Sequence, residues 1–326
     1  RDHSDGKVSN IFGKATRNTD FGSVGVMAYF GDSDLLGNGL LPSTNYGVED
    51  DVGEIQEGGL YEAKREAIYS HPDQTKNEVG LVSLNFQNFI DDETQINGLI
   101  YSRYGRQKRL GGDVEAEFET AENEWEFEGE FNNSKTRQNG SGLGLNLSKI
   151  LDNHQITAGL TFDQSTVSYH ATETEDCEVN AIRKVICDDD SETEDSAKVS
   201  GNSKTYSLFA SDTAEVTDKI FVTGSLRYNH TKVSNTLSTP NEVTEELEAQ
   251  PKETFKYTKL NPAIGVSAKL DNGMNVFANA SQGNRVPTVI ELGCADRNNP
   301  CLLPTGLQAD PYLEQVTSRT YEIGAR

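Results

Sequence analysis

No stretch of this 326-residue chain approaches the ~20 consecutive apolar residues that a membrane-spanning helix needs, and the mean hydropathy is −0.62. Helical membrane proteins are excluded. Cations are scarce: 29 Lys and Arg stand against 52 Asp and Glu, a formal charge of −23. A duplex-binding surface needs clustered cations to displace counterions, so nucleic acid is excluded as a partner. The same count excludes adhesion to anionic lipid by a polybasic face. There is no initiator Met and no signal peptide, and Tyr321 to Arg326 reads as a strand in progress, so an internal piece of a longer protein is expected.

Cysteine is limited to Cys177, Cys187, Cys294 and Cys301, which fall as two local pairs in polar, loop-like stretches. Neither spacing suits a zinc site. Short loop closures favour disulfides between Cys177 and Cys187 and between Cys294 and Cys301, which implies an oxidising compartment, with four free thiols in a cytosolic protein as the alternative.

What the chain has in abundance is period two. Val82, Leu84 and Phe86 alternate with Ser83, Asn85 and Gln87, and Leu143, Leu145 and Leu147 with Gly144, Asn146 and Ser148. Ile156, Ala158 and Leu160 alternate with Thr157, Gly159 and Thr161, Leu226 and Tyr228 with Ser225, Arg227 and Asn229, and Ile264 and Val266 with Gly265 and Ser267. These are strands apolar on one face and polar on the other.

The connections alternate in length. Short turns are expected at Asn18 to Asp20, Ile90 to Glu93, Leu151 to Asn153, Thr213 to Asp218 and Asp271 to Gly273, and long connections at 31–77, 107–137, 171–199, 233–254 and 284–318. The segments between them match or exceed the ~9–11 residues a tilted strand needs to cross hydrocarbon. A soluble sandwich normally has shorter strands and loops. The pattern is that of an all-β, transmembrane, antiparallel up-and-down β-barrel with short periplasmic turns and long extracellular loops. The acidity belongs to the loops: 31 of the 52 carboxylates lie in 49–66, 113–130, 173–195 and 242–253. Aromatics such as Tyr29, Phe89, Tyr104, Tyr169 and Tyr228 fall near strand ends, as interfacial girdles do, although strands are enriched in aromatics anyway.

Catalytic and metal motifs fail on spacing. The five histidines, His3, His71, His154, His170 and His230, form no i, i+4 pair, and no Ser-His-Asp or Cys-His set assembles. Gly140-Ser141-Gly142-Leu143-Gly144 opens a strand, so it reads as small residues on a lumen face and not as a dinucleotide loop. Asp188 to Glu192 lacks the glycine and spacing of a helix-loop-helix calcium site. Glu115 to Glu130 alternates carboxylates with Phe118, Trp125 and Phe127, a ribbon expected to extend above the barrel as a hairpin. No enzyme, cofactor or metal is expected.

The stretch from Asn275 to Arg326 resembles the barrel of TonB-dependent outer-membrane receptors. In that family a Ser-x-Gly-x-Arg-x-Pro-type strand end leads through Glu-Leu into a long extracellular loop and returns through a Leu-rich approach to a Tyr-Glu-x-Gly strand. The counterparts here are Ser281, Gly283, Arg285, Pro287, Glu291 and Leu292, then Leu313, Tyr321, Glu322, Gly324 and Arg326. Many members carry Pro-Glu where this chain has Gln315 and Val316. The run from Tyr61 to Phe86 also looks like the family's barrel, and nothing looks like its plug domain, energy-coupling box or terminal aromatic residue.

The resemblance implies about ten or eleven strands of a plugged barrel of about 22. It also implies a bacterial outer-membrane location and binding of a scarce nutrient such as a ferric siderophore, cobalamin or a glycan. Uptake would be energised by the periplasmic TonB protein through a segment outside this sequence. Val82, Leu84, Phe86, Leu145, Leu160, Val222 and Val266 should then face lipid, and Asn146, Thr157, Thr161, Ser225, Arg227 and Asn229 a wet lumen. A passive porin shares this physics. A secreted soluble β-protein instead requires Val82, Leu84 and Phe86 to be buried against a second sheet.

Overall fold

The computed structural model describes residues 4–37, 70–119, 124–180, 184–188, 191–241, 243–244, 246–293, 295 and 313–326, with the side chains of 115–127 left undescribed. The strands are β1 (Gly6–Thr19), β2 (Gly22–Gly37), β3 (Asp73–Phe89), β4 (Thr94–Glu119), β5 (Glu124–Leu151), β6 (His154–Val179), β7 (Val185–Ile186), β8 (Thr193–Thr217), β9 (Ile220–Pro240), β10 (Leu247–Ala249), β11 (Glu253–Lys269), β12 (Asn275–Arg285) and β13 (Val316–Ala325), with one short helix, α1 (Val289–Gly293), before β13. They form a single sheet in the order β1-β2-β3-β4-β5-β6-β8-β9-β11-β12-β13, with β7 paired to β6 and β10 to β9. Each long pairing is antiparallel and joins neighbours in the chain.

The five short turns lie at or close to their expected places, except that the one expected at Thr213 to Asp218 narrows to Asp218 and Lys219, because β8 stays paired to Thr217. Three of them are two residues long, among them the one joining β5 to β6 through Asp152 and Asn153, with Asp152 in the left-handed region at φ 49°. Asp tolerates that region because its short side chain bonds locally.

The long connections are shorter than expected, because the ladders run on into them. Segment 107–137 is almost entirely paired, from Gln107 opposite Thr136 up to Glu119 opposite Glu124. β6 continues to Val179, and β9 to Pro240. Pairing depends on backbone groups, so acidic composition does not by itself end a strand. The expected acidic hairpin is therefore real, and the loop reading of the same residues is not.

Among the described residues no second sheet covers the apolar row: Val82 is 56% and Leu84 42% exposed. That removes the soluble sandwich. Burial concentrates toward the long-connection end, where Tyr169, Ala171, Ala197, Val199, Val233 and Leu237 pack with Val289 and Leu292 of α1. A smaller cluster joins Val114, Cys177 and Val185, next to the disulfide between Cys177 and Cys187. The second expected disulfide, Cys294 with Cys301, lies outside the described residues.

Close approach explains Gly140 and Gly142 of the β5 run, whereas a Cβ on Gly144 would make only an ordinary contact, 3.6 Å from Thr161. A Cβ on Gly142 would stand 2.6 Å from the Tyr101 ring, and one on Gly140 2.9 Å from the Arg103 side chain. Each glycine leaves room for a large side chain from the neighbouring strand to lie across the backbone.

Candidate functional site

Directly opposed residues of an antiparallel pair share a face, so register decides which side chains meet. Leu84, Ile100, Leu143, Phe162 and Tyr206 form one row across five strands. Val82 and Phe86 lie on the same face as Leu84, two positions away on either side. Leu145 lies opposite Leu160, Leu160 opposite Leu208 and Val222 opposite Val266. The seven residues expected to face lipid thus share one continuous apolar face.

The other face carries a lattice of hydrogen-bonded polar side chains. Asn97 donates to Asn146 at 3.1 Å, and the hydroxyls of Ser148 and Thr157 meet at 2.8 Å. Arg227 donates from Nη2 to Thr161 Oγ1 at 3.0 Å and from Nε to Asn229 Oδ1 at 2.9 Å, with its guanidinium 5.8 Å from the centre of the Phe209 ring. Asn229 and Asn261 both donate to Asn284 Oδ1, at 2.9 and 2.7 Å. Tyr101 donates to Asp163 on the same face. Ser225 lies opposite Ser211 and Ala263. Five of the six residues expected to line a lumen therefore join side-chain hydrogen bonds, and Ser225 shares their face.

Above this lattice sits α1, and the residues of the Asn275 to Arg326 motif build its seat. Arg285 donates to both carboxylate oxygens of Glu291, at 3.0 and 3.1 Å. The Thr288 amide donates to Glu291 Oε2 at 2.7 Å, and the Glu291 amide donates to Thr288 Oγ1 at 3.2 Å. That is a capping box, with two otherwise orphaned amides satisfied reciprocally. Burial works against the Glu291 charge, but Arg285 and the Thr288 amide and hydroxyl outweigh it and hold the carboxyl below its ordinary value. Pro287 and Leu292 are buried, and Leu313 accepts a hydrogen bond from the Tyr257 hydroxyl at 3.2 Å through its carbonyl.

The remaining motif residues shape the β12–β13 ladder. Ser281 lies opposite Thr320, Gly283 opposite Ser318, Ala280 opposite Tyr321, and Phe277 opposite Gly324, whose missing side chain leaves room for the ring. Glu322 accepts from Asn279 at 3.4 Å. Sequence reasoning missed Thr288 and Val289, although Thr-x-x-Glu beside an apolar pair is a legible helix start. It also missed Asn261 and Asn284, whose roles depend on register.

Where the β4–β5 hairpin leaves the apolar zone, Asp113 lies opposite Glu130, and Asn132 donates to both at 3.1 and 2.7 Å. Burial, a hydrogen bond with the Glu173 carboxyl and the charges of Glu173 and Asp113 push the Glu130 carboxyl up to about 7, against the opposing pull of Asn132. The folded hairpin therefore binds a proton that the unfolded chain releases near 4.5, and its stability falls as pH rises through that window. After discounting for solvent screening, about 1 kcal/mol is expected. Hydrogen-exchange protection of 111–114 and 128–133, taken relative to the intrinsic exchange rate at each pH, should fall between about pH 4.5 and 7, and Glu130→Gln should flatten the trend. An unchanged slope in that variant would assign the effect elsewhere.

The chain matches the family model described as TonB dependent receptor-like, beta-barrel, over residues 9–326. Among solved structures it is similar to the ferric-catecholate import receptor Fiu of E. coli in its open form, with 14% identity and a TM-score of 0.69 over 88% of this chain and 48% of that one. It is also similar to the ferric citrate transporter FecA without ligand, at 15% identity and a TM-score of 0.64 over 100% of this chain and 41% of that one. The ferric yersiniabactin uptake receptor FyuA of Yersinia pestis gives 14% and 0.62, over 98% and 43%. This chain spans less than half the length of each. No curated protein sequence matches it.

Proposed function

Because the chain belongs to the family of TonB dependent receptor-like β-barrels, we propose that it forms about half of the wall of a bacterial outer-membrane receptor that imports a scarce nutrient. In this reading the apolar face meets lipid and the polar face lines a lumen occupied by a plug encoded outside this sequence. The connections beyond α1 and the β4–β5 hairpin face the exterior, and uptake draws on TonB through a segment that this chain does not contain. The observation that carries the proposal is the family match over residues 9–326 in a sheet whose two faces differ so sharply in polarity.

The similar structures, receptors for ferric catecholates, ferric citrate and ferric yersiniabactin, favour a ferric chelate over cobalamin or a glycan as cargo. A lumen of amides and hydroxyls suits a polar chelate, with Arg227 as a cation on the wall. The test is growth of a strain carrying the full-length gene on chelated iron as sole iron source, with and without TonB. Uptake that requires both the gene and TonB is expected. Uptake that persists without TonB, together with ion conductance of the purified protein, would replace the receptor by a passive pore.

A further inference from the structure

The apolar face carries a feature that composition argues against. Just toward the long connections from its apolar positions, cations stand directly opposite one another on successive strands. Lys204 of β8 lies opposite Lys232 of β9, and Lys232 opposite Lys256 of β11. Farther around the sheet, Arg106 lies opposite Arg137 and Lys108 opposite Lys135. Like charges directly opposed across a ladder repel, and register brings these together in a chain of net charge −23.

Carboxylates could neutralise such rows, yet they do so only at the margin. Arg106 pairs with Glu78 at 3.1 Å. Lys204, Lys232 and Lys256, like Lys108, Lys135 and Arg137, pair with no carboxylate among the described residues. The neighbouring charges, Arg137 first, hold the Lys135 ammonium below its usual value. Neighbouring strands lie about 4.8 Å apart, so three opposed lysines present a short line of ammonium groups able to share one multivalent anion.

What lies beside the lysines identifies the anion. On the turn side of Lys204, Lys232 and Lys256, the same face presents first the row Tyr206, His230 and Thr258, the last two hydrogen-bonded at 3.2 Å, and then Leu208, Tyr228 and Leu260 directly opposite one another, with Leu226 beyond Tyr228. Tyr206, Leu208, Leu226, Tyr228 and Leu260 are exposed. A line of cations one row above an open apolar surface is the complement of an amphiphile with an anionic head and alkyl chains. A soluble anion would leave the apolar part uncovered.

We propose that the row Lys204–Lys232–Lys256, with the Arg106–Arg137 and Lys108–Lys135 pairs as a second station, binds the phosphate groups of lipids in the surrounding leaflet, whose chains lie along Leu208, Tyr228 and Leu260. The proposal rests on the outer-membrane reading above. It reverses the expectation from composition: the basic surface is assembled from one or two cations per strand, which no count along the sequence reveals.

The test uses the full-length protein reconstituted in phosphatidylcholine vesicles containing a minor fraction of doubly phosphorylated lipid A, with native mass spectrometry counting retained lipid. The parent should retain lipid A over phosphatidylcholine. The K204Q/K232Q/K256Q variant should weaken retention by roughly tenfold to a hundredfold, since each cation near a membrane surface contributes several-fold. K204R/K232R/K256R should keep it, as should K219Q/K259Q/K269Q, which removes equal charge elsewhere. Inorganic phosphate added in excess should leave the lipid in place. A glutamine variant that inserts and melts as the parent does yet keeps its lipid A would overturn the proposal, as would complete displacement by inorganic phosphate. A parent protein that enters neither plain nor lipid A vesicles would overturn the membrane reading itself, and this proposal with it.

Discussion

Arginine in place of Leu160 should lower the stability of the protein folded in lipid by ~2–4 kcal/mol, the cost of a cation near the bilayer midplane on the outside of a barrel. Leu160 lies opposite Leu145 on one side and Leu208 on the other and is 42% exposed, so no protein group is at hand to solvate the charge. Asn146→Arg is the comparison, placing the same charge on the opposite face at the cost of one hydrogen bond from Asn97. It should cost less than half as much. Equilibrium unfolding by denaturant in vesicles gives both values. Equal costs for the two, or no cost for Leu160→Arg, would mean that this face meets water.

Leu292→Ala should have an effect of similar size but local reach. Leu292 is fully buried in the cluster with Tyr169, Val199 and Val233. Removing a buried leucine side chain costs roughly 2–5 kcal/mol, depending on how far the site collapses. A helix of five residues cannot hold itself together, so this loss falls on the seating of α1 and not on the sheet. The amide of Leu292, which donates to the Thr288 carbonyl at 3.1 Å, should exchange far faster in the variant, while the protection of β8 and β9 stays put. Loss of protection in β8 and β9 as well would mean that α1 is part of what holds these strands together.

The parts of the structure that were legible in the sequence are those that depend on local alternation. The spacing of Leu143, Leu145 and Leu147 fixes a strand and its apolar face without reference to any other strand. Turn residues such as Asp152 and Asn153 likewise act within a few positions. What could not be read is what register decides. Arg227 meets Thr161, 66 positions earlier in the chain, and Lys204 meets Lys232, because each strand is aligned against the next by its turn and its apolar pattern. The acidic hairpin shows the opposite error, in which composition typical of loops disguised a ladder that continues to Glu119 and Glu124.

The order of the sheet has a bearing on how such a protein can change. Because every long strand pairs only with strands adjacent in the chain, closing a connection fixes nothing beyond its own two strands. The entropy of that closure rises only with the logarithm of length, about 0.6 kcal/mol for each doubling. Connections at the long end are therefore free to lengthen, shorten or exchange sequence with little effect on the wall that carries them. The tight turns at the other end, which set alignment residue by residue, have no such freedom. Evolution of a new specificity in this architecture is a matter of editing one rim while the other stays fixed.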